Sequence, residues 1–212
     1  MNELRNLSVK LRERLALPLP GLESQIVMAS KKRLRFPFAT ASVLKATPSG
    51  VLILLYPYKD ETSFVLMRRP DYGGIHSKQI SLPGGKFEQI DRDLIATAIR
   101  EAHEEVGVEP SAVSVIGTLT PLYIPPSNYI VTPVVAWTER RPEFAKDPRE
   151  VEEIIEVKLN DFLDDKHVQT KRIKLFMGIA ANFPCFYIDG NVIWGATAMI
   201  LSEFRVILNE IL

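Results

Sequence analysis

Leucines recur at helical spacing near the start of the chain and predict its first element. The leucines are three or four positions apart, at Leu4, Leu7, Leu11 and Leu15, and charged residues stand between them. This period predicts an amphipathic helix over residues 3–15. The run of residues 17–21, LPLPG, ends that helix, because proline cannot continue it. We therefore interpret residues 1–35 as a helical arm that packs on a main domain of residues 36–212.

Short apolar runs predict a sheet in the main domain. Residues 51–56 and 63–67 flank a polar turn and are typical of two antiparallel strands. Residues 70–92 contain many glycines and prolines and are interpreted as mostly loop. Further strands are predicted at residues 113–119, 129–137, 153–159, 170–176 and, more briefly, 186–188.

Two helices are predicted within the main domain. Residues 94–106 place their apolar side chains within about 140° of the helix circumference, at roughly 100° per residue. Asp91 or Asp93 can cap the start of this helix, and Gly107 suits the position after its end. A second helix closes the chain over residues 195–211. Hairpins and an irregular alternation of strands and helices favour an α/β fold with a mixed sheet between helices, rather than a parallel βαβ repeat.

Composition and charge exclude several classes of function. The 212 residues are 46% hydrophobic and 25% charged, which is typical of a folded globular protein and not of a disordered one. Lysine plus arginine number 26, and so do aspartate plus glutamate. The resulting net charge of zero argues against nucleic-acid binding through phosphate neutralisation.

Other features of the sequence point to a compartment. No apolar run approaches the roughly 18 residues of a membrane helix, and the first residues lack an apolar signal core. Cys185 is the single cysteine, so it cannot form an internal disulfide, which suits a reducing environment. We expect a cytoplasmic protein that has neither a membrane nor a nucleic acid as its partner.

Three carboxylates crowd the last two turns of the helix predicted over residues 94–106. Glu101 and Glu105 are four residues apart and project from one face, with Glu104 on its flank. Like charges at this spacing repel by roughly a few tenths of a kcal/mol, and carboxylates near a helix C-terminus oppose the macrodipole by about 0.3–1 kcal/mol each. A divalent cation would reverse the sign of these effects, since Mg²⁺ and Mn²⁺ take carboxylate oxygens as ligands. The simpler alternative is a solvated acidic face.

A Gly-Gly pair and an arginine precede these glutamates at fixed distances. Five residues separate Gly85 from Asp91, eight separate Asp91 from Arg100, and residues 100–108 read REAHEEVGV. This order resembles the Nudix hydrolase family, whose pattern is G-x5-E-x7-R-E-U-x-E-E-x-G-U, with U a bulky aliphatic residue. Here Asp91 replaces the first glutamate, the next gap is one residue longer, and Ala102 is a small choice for U. The insertion keeps the three glutamates in register and leaves the role of Asp91 open.

Three further stretches are similar to the coenzyme A diphosphatase branch of that family. Residues 65–69, VLMRR, fit the start of its segment before the Gly-Gly pair; residues 131–135, VTPVV, resemble its central strand; and residues 193–198, IWGATA, resemble its C-terminal signature. The first segment departs from the branch where serine or alanine, arginine, glycine and phenylalanine are replaced by Pro70, Gly74, Lys78 and Leu82. The resemblance extends over residues 36–210.

The resemblance implies an α/β/α Nudix sandwich and a set of functional residues. Mg²⁺ or Mn²⁺ would be the cofactor, held by Glu101, Glu104, Glu105 and the carbonyl oxygen of Gly85. Glu101 and Glu105 are expected to be the primary ligands, and Glu104 a supplementary ligand or a base acting through water. Arg100 is expected to orient the glutamates by ion pairing, with Asp91 as a possible partner.

The general base and the substrate contacts rest on weaker signals. Glu150 could be the base if its charged loop folds back over the site, whereas a charged strand entrance is the alternative. The expected substrate contacts are basic side chains, glycine backbone that a ligand can approach closely, and a tyrosine after a proline-rich loop: Arg69, Lys86, Gly84, Gly85 and Tyr129. Trp194 is expected to pack in the core.

Taken together, these features imply a metal-dependent hydrolase that cleaves the diphosphate bond of a nucleoside diphosphate derivative. The first expectation is coenzyme A or acyl-CoA, giving 3′,5′-ADP and (acyl-)4′-phosphopantetheine. The alternatives are a Nudix hydrolase of ADP-ribose or a dinucleotide, a catalytically silent nucleotide-binding sensor, and an α/β interaction domain with an acidic helix. The expected partner is a small-molecule nucleotide, and the arm could also mediate a homodimer.

Overall fold

The computed structural model describes residues 2–30, 45–71, 73, 77–174 and 180–212. Its helices are α1 (Asn2–Leu15), α2 (Leu22–Ile26), α3 (Leu94–Val106), α4 (Leu159–Leu163) and α5 (Gly195–Ile211). Its strands are β1 (Thr47–Tyr58), β2 (Glu61–Arg68), β3 (Ile80–Ser81), β4 (Gly84–Lys86), β5 (Ser114–Thr118), β6 (Leu122–Ile124), β7 (Tyr129–Trp137), β8 (Glu153–Lys158), β9 (Val168–Lys174), β10 (Ala180–Ile188) and β11 (Asn191–Trp194).

Two sheets organise the molecule. The larger one runs in the order β3-β2-β1-β7-β5, with β4 paired to β1, β6 to β7 and β8 to β2. Strand β1 is parallel to β7 and antiparallel to β2 and β4, so this sheet is mixed. The smaller sheet is antiparallel, in the order β11-β10-β9.

Strand β1 is buried on both of its faces, which explains its continuous apolar run. Leu52 and Leu54 face the core that contains Ala98 and Ala102 of α3. Ile53, between them, faces the other core, which α1 and α5 cover. Because successive side chains of a strand point to opposite faces, a central strand between two helical layers must be apolar at every position.

The N-terminal helices cover the face of the large sheet opposite to α3. Leu4, Leu7 and Leu11 of α1 are buried in the same core as Phe204 and Ile207 of α5. The described part of the predicted arm therefore packs on the domain. The division at residue 35 stays a prediction, because residues 31–44 lie outside the described part of the chain.

The predicted fold class, an α/β/α sandwich with a mixed sheet, is confirmed. Residues 70–92 were interpreted as mostly loop, yet they include β3 and β4; β6, β11, α2 and α4 were also not predicted. The ends of most other strands differ from the predicted ends by a few residues. Strand β1 is longer than predicted at both ends, and β10 begins at Ala180 rather than at residue 186. Strand β9 ends at Lys174, and residues 175–176 of its prediction are not described. Among the described helices, none is long and apolar enough to cross a bilayer.

Candidate functional site

Helix α3 is fixed at both ends, and this aims its acidic C-terminal turns at β4. The Asp93 carboxylate accepts a hydrogen bond from the Ala96 amide at 2.8 Å and caps the start of the helix. Gly107 follows the end in the left-handed conformation, with φ 76°, where a side chain would be strained. Of the two predicted caps, Asp93 is therefore the one used.

Glu105 is the most deeply buried carboxylate of the site, with 2% of its surface exposed. It accepts a hydrogen bond from the Gly84 amide at 2.7 Å, and its Oε1 lies 3.7 Å from Nη2 of Arg69. The pKa of Glu105 is raised to about 8, mainly by burial and to a smaller extent by the nearby carboxylates of Glu101 and Glu150, while Arg69 and the Gly84 amide lower it. A cation beside Glu105 would relieve this burial of charge.

Glu101 faces the second glycine of the pair. A Cβ atom built on Gly85 would lie 2.4 Å from the Glu101 carboxylate, so only glycine leaves that space free. Burial raises the pKa of Glu101, Arg100 lowers it, and Glu104 and Glu150 raise it. The carboxylates of Glu101 and Glu105 thus both lie against the Gly-Gly strand, and they share one face of α3, as their spacing predicted.

The Gly-Gly strand is itself held closely against β1. A Cβ atom on Gly84 would lie 2.3 Å from the carbonyl oxygen of Gly50. The carbonyl oxygen of Gly85, a predicted metal ligand, accepts a hydrogen bond from the Ser49 hydroxyl at 2.5 Å. A metal ion at this oxygen would therefore share it with Ser49. No sequence signal had indicated Ser49.

Arg100 is anchored by Asp91 and bridges the glutamates. Its Nε and Nη2 atoms donate to the two carboxylate oxygens of Asp91 at 2.9 and 3.0 Å, while Nη1 lies 3.0 Å from Glu104 and 3.1 Å from Glu101. Hydrogen bonds from Arg100 hold the pKa of the buried Asp91 well below its usual range. Arg100 thus connects Asp91, whose role the sequence left open, with both glutamates, and the expected role of Arg100 in orienting the glutamates stays a prediction.

The remaining predicted site residues line one cleft of about 1730 Å³ together with Glu101, Glu104 and Glu105. Arg69, Lys86 and Tyr129 lie on its walls, as do Gly84 and Gly85. Glu150 is exposed in the turn before β8, lines the cleft, and lies close enough to raise the pKa of the half-buried Glu101 and of the buried Glu105. Lys78 also lines the cleft but forms an ion pair with Asp71 at 2.8 Å. Gly74 lies outside the described residues.

The donor set of the cleft fits a divalent cation, although the ligands are not fully assembled. Within the described ranges, no three His, Cys, Asp or Glu side chains stand close enough together to form a complete metal site. Glu101 and Glu105 already converge, however, and carboxylate oxygens are the ligands that Mg²⁺ and Mn²⁺ prefer. Glu104 and Glu150 are exposed at the edge of the cleft, and Glu104 is ion-paired with Arg100 at 3.0 Å. A rotation of either side chain toward Glu101 and Glu105 would add a third carboxylate to the set.

Several lining residues were not predicted from the sequence. Trp194, expected in the core, is half-buried, lines the cleft and packs against Phe183 with ring centroids 4.8 Å apart. Met28 reaches the cleft from the N-terminal arm, and Met199 reaches it from α5. These contacts join segments far apart in the sequence, so no local pattern could have indicated them.

Comparisons with known proteins agree with this geometry. The model of the NUDIX domain matches residues 46–176. Proteins described as uncharacterized Nudix hydrolase NudL, from Yersinia pestis (strain Pestoides F) and Yersinia pseudotuberculosis serotype O:1b (strain IP 31758), are 35% identical over 145 residues, which is 68% of this chain and 72% of theirs. The crystal structure of a MutT/nudix family protein from Enterococcus faecalis has the same fold, with a TM-score of 0.52 and 15% identity over 88% of this chain and 74% of that one.

The fold, the site and these matches define an α/β enzyme that hydrolyses diphosphate bonds. The chain belongs to the Nudix hydrolase family, whose members act on nucleoside diphosphate derivatives and generally need divalent metal ions.

Replacing Gly85 with alanine is expected to lower kcat by about 10²-fold while costing at most about 1 kcal/mol of stability. The added Cβ would meet the Glu101 carboxylate, which is the flexible end of a side chain and can move aside. Steady-state kinetics and thermal melting would test this. Gly117→Ala is the matched control, since its added Cβ would also meet the flexible end of a side chain, that of Leu15 at 3.0 Å, but in β5 and outside the lining of the cleft. Full activity of Gly85→Ala would show that Glu101 need not lie against the glycine pair.

Proposed function

We propose that the protein hydrolyses the diphosphate bond of coenzyme A or acyl-CoA to 3′,5′-ADP and (acyl-)4′-phosphopantetheine. One observation carries this proposal. Segments that resemble the coenzyme A diphosphatase branch, although more than 100 residues apart, line the same cleft: Arg69 comes from the first, Gly84 and Gly85 follow it, and Trp194 belongs to the C-terminal signature. Thr197 of that signature donates a hydrogen bond to the carbonyl oxygen of Ile80 in β3 at 3.1 Å, which joins the two regions directly.

The residues of the cleft divide the work of hydrolysis between them. Glu101 and Glu105 would hold Mg²⁺ or Mn²⁺, with Glu104 as supplementary ligand and Gly85 contributing its carbonyl oxygen. When bound, the metal would neutralise the diphosphate and polarise it for attack. Arg69 and Lys86 supply further positive charge on the cleft wall, and Arg100 keeps the glutamates in place.

Hydrolysis joins the oxygen of one water to one phosphorus atom and breaks the bridging P–O bond, so each product keeps a terminal phosphate. One proton of the water passes to a carboxylate base, for which Glu150 and Glu104 are the two candidates. Both are exposed at the edge of the cleft, where water can reach them. Tyr129, on the cleft wall at the start of β7, is proposed to contact the substrate.

Incubation with coenzyme A and millimolar Mg²⁺ or Mn²⁺ is expected to release 3′,5′-ADP and 4′-phosphopantetheine in equal amounts. Chromatography would resolve the products, ADP-ribose would be tested in parallel, and a reaction with excess EDTA is the control. Cleavage of ADP-ribose alone would exclude coenzyme A and favour the first alternative. If neither compound is cleaved but both raise the melting temperature, a nucleotide sensor is favoured. A cytoplasmic location, a homodimer and the absence of membrane and nucleic-acid partners stay predictions.

A further inference from the structure

The segment between β7 and β8 is bonded to the end of α3. The last carbonyl groups of a helix have no partner within the helix itself. In this protein the Ala145 amide donates a hydrogen bond to the carbonyl oxygen of Val106 at 3.0 Å. The Asp147 amide donates to the carbonyl oxygen of Glu105, also at 3.0 Å. The backbone of Asp147 is thus bonded directly to the residue whose carboxylate is the most deeply buried of the site.

A tight turn that begins at Asp147 carries Glu150. It spans residues 147–150, which read DPRE, and the carbonyl oxygen of Asp147 accepts a hydrogen bond from the Glu150 amide at 3.1 Å. The carboxylate of Asp147 accepts another from the Arg149 amide at 2.8 Å, a contact typical of aspartate at the first position of a turn. Pro148, at the second position, restricts the backbone further. Bonds to Asp147 therefore hold the turn that ends at Glu150.

The chain after the turn is anchored as well. Val151 has no exposed surface and is buried in the same core as Ala102 of α3. The Glu152 amide donates to the carbonyl oxygen of Arg68, the last residue of β2, at 2.8 Å. Glu150 thus projects from a segment that is bonded to α3 on one side and to β2 on the other.

The two candidate bases differ in how their carboxylates are held. Glu150 lines the cleft, and its charge raises the pKa of both Glu101 and Glu105. The carboxylate of Glu104 forms an ion pair with Arg100 at 3.0 Å, and this ion pair would be lost if Glu104 took up a proton. The turn, by contrast, holds the backbone of Glu150 and leaves its exposed side chain at the edge of the cleft.

We propose that Asp147 is a positioning residue, which holds Glu150 beside Glu101 and Glu105 so that Glu150 is the base of the reaction. The inference rests on the proposed function, because it assigns a proton transfer within hydrolysis at that same site. The oxygen of water bonds to phosphorus, and one proton of this water passes to the Glu150 carboxylate. The bridging P–O bond breaks, and the leaving phosphate keeps its electron pair. Asp147 acts on this step only through the position of Glu150.

The kinetic test replaces Asp147 in two ways. Asp147→Ala removes the acceptor for the Arg149 amide and should lower kcat about tenfold, with KM for coenzyme A changed by no more than about twofold. Asp147→Asn keeps an oxygen that can accept this bond and should retain at least about half of kcat. Arg149→Ala is the matched control, because it removes the ion pair with Asp147 but keeps the amide. The Arg149 side chain is 85% exposed, and its loss should leave kcat unchanged.

A double-mutant cycle with Glu150 separates a positioning role from a merely structural one. Glu150→Gln is expected to lower kcat about 10²-fold. When Asp147→Ala is added to Glu150→Gln, kcat should fall by no more than about twofold further, because the group that Asp147 positions is already missing. The same tenfold loss in both backgrounds would overturn the proposal.

Hydrogen exchange tests the proposal without turnover and without metal. In Asp147→Ala, the backbone amides of residues 149–152 should exchange at least about tenfold faster than in the natural protein, whereas Asp147→Asn should retain the natural rates. Unchanged exchange in Asp147→Ala would show that the carboxylate does not hold the turn, and it would overturn the proposal.

The outcomes separate this inference from the proposed function. Cleavage of coenzyme A with wild-type kcat in Glu150→Gln would overturn the role of Asp147 and leave the coenzyme A diphosphatase intact. If ADP-ribose alone is cleaved, the choice of coenzyme A is wrong, and the same losses measured with ADP-ribose would still support the role of Asp147. If neither compound is cleaved with metal present, both proposals are overturned.

Discussion

Replacing Glu105 with glutamine is expected to lower kcat by about 10³-fold. Glutamine keeps the shape of the side chain and an oxygen that can accept the hydrogen bond from the Gly84 amide, but it removes a negative charge from the site. We expect kcat to fall because the site would bind the metal less tightly and would neutralise the charge of the diphosphate less well. The melting temperature without metal should stay the same or rise, because a neutral amide is less costly to bury than a carboxylate. Kinetics with Mn²⁺ and thermal melting with and without Mn²⁺ would measure both effects.

The controls for this prediction come from the same residue type. Glu13 lies on α1, is exposed, and should tolerate glutamine with no change in kcat. Glu104, 55% exposed, should show a smaller loss than Glu105, of about 10-fold to 10²-fold, since it is placed as a supplementary ligand or base. Mn²⁺ should raise the melting temperature of the natural protein more than that of Glu105→Gln. Wild-type activity in Glu105→Gln would show that the metal site does not lie at α3.

For elements that local signals define, the first and last residues could be predicted from the sequence. Helix α3 and helix α5 have the predicted ends, and so does β7. Asp93 and Gly107 mark the two ends of α3, and a capping aspartate and a left-handed glycine act through their nearest neighbours alone.

The missed strands divide into two kinds. Strand β11 had a local signal that was overlooked: Asp189 and Gly190 both have positive φ, 49° and 81°, and an Asp-Gly pair between apolar runs is typical of a tight hairpin. Strands β3, β4 and β6 have only two or three residues each. They exist because β2, β1 and β7, respectively, offer them partners, so no local pattern could have predicted them.

The site was predictable to a similar degree. The convergence of Glu101 and Glu105 follows from their helical spacing. The burial of Glu105 could also have been derived, because at roughly 100° per residue it lies about 20° from Leu94, inside the apolar face. The contribution of the arm, β10 and α5 to the lining of the cleft could not have been derived, since only tertiary packing brings these segments together.

Replacing Glu203 with alanine is expected to lower the free energy of unfolding by about 3–5 kcal/mol. Its two carboxylate oxygens accept four hydrogen bonds: from the Gly21 amide, from the Gln25 side chain, and from the amide and hydroxyl of Thr120 at 3.2 and 2.6 Å. Alanine would leave these buried donors without an acceptor and open a cavity beneath the arm. Glu203→Gln keeps one acceptor oxygen but turns an NH₂ group toward donors, so its cost should be smaller, about 1–3 kcal/mol. Urea unfolding followed by circular dichroism would give both values.

The same helix provides the control that separates this buried network from an ordinary surface charge. Glu210 also lies on α5 and also pairs with the arm, through Arg14, but its side chain is 44% exposed. Glu210→Ala should therefore cost about 1 kcal/mol or less, since exposed ion pairs contribute little. If Glu203→Ala cost no more than Glu210→Ala, water would have to satisfy the freed donors, and the Glu203 network would contribute nothing to holding the arm. A loss several times larger would show that a single buried carboxylate fixes the arm, and with it Met28 on the wall of the cleft.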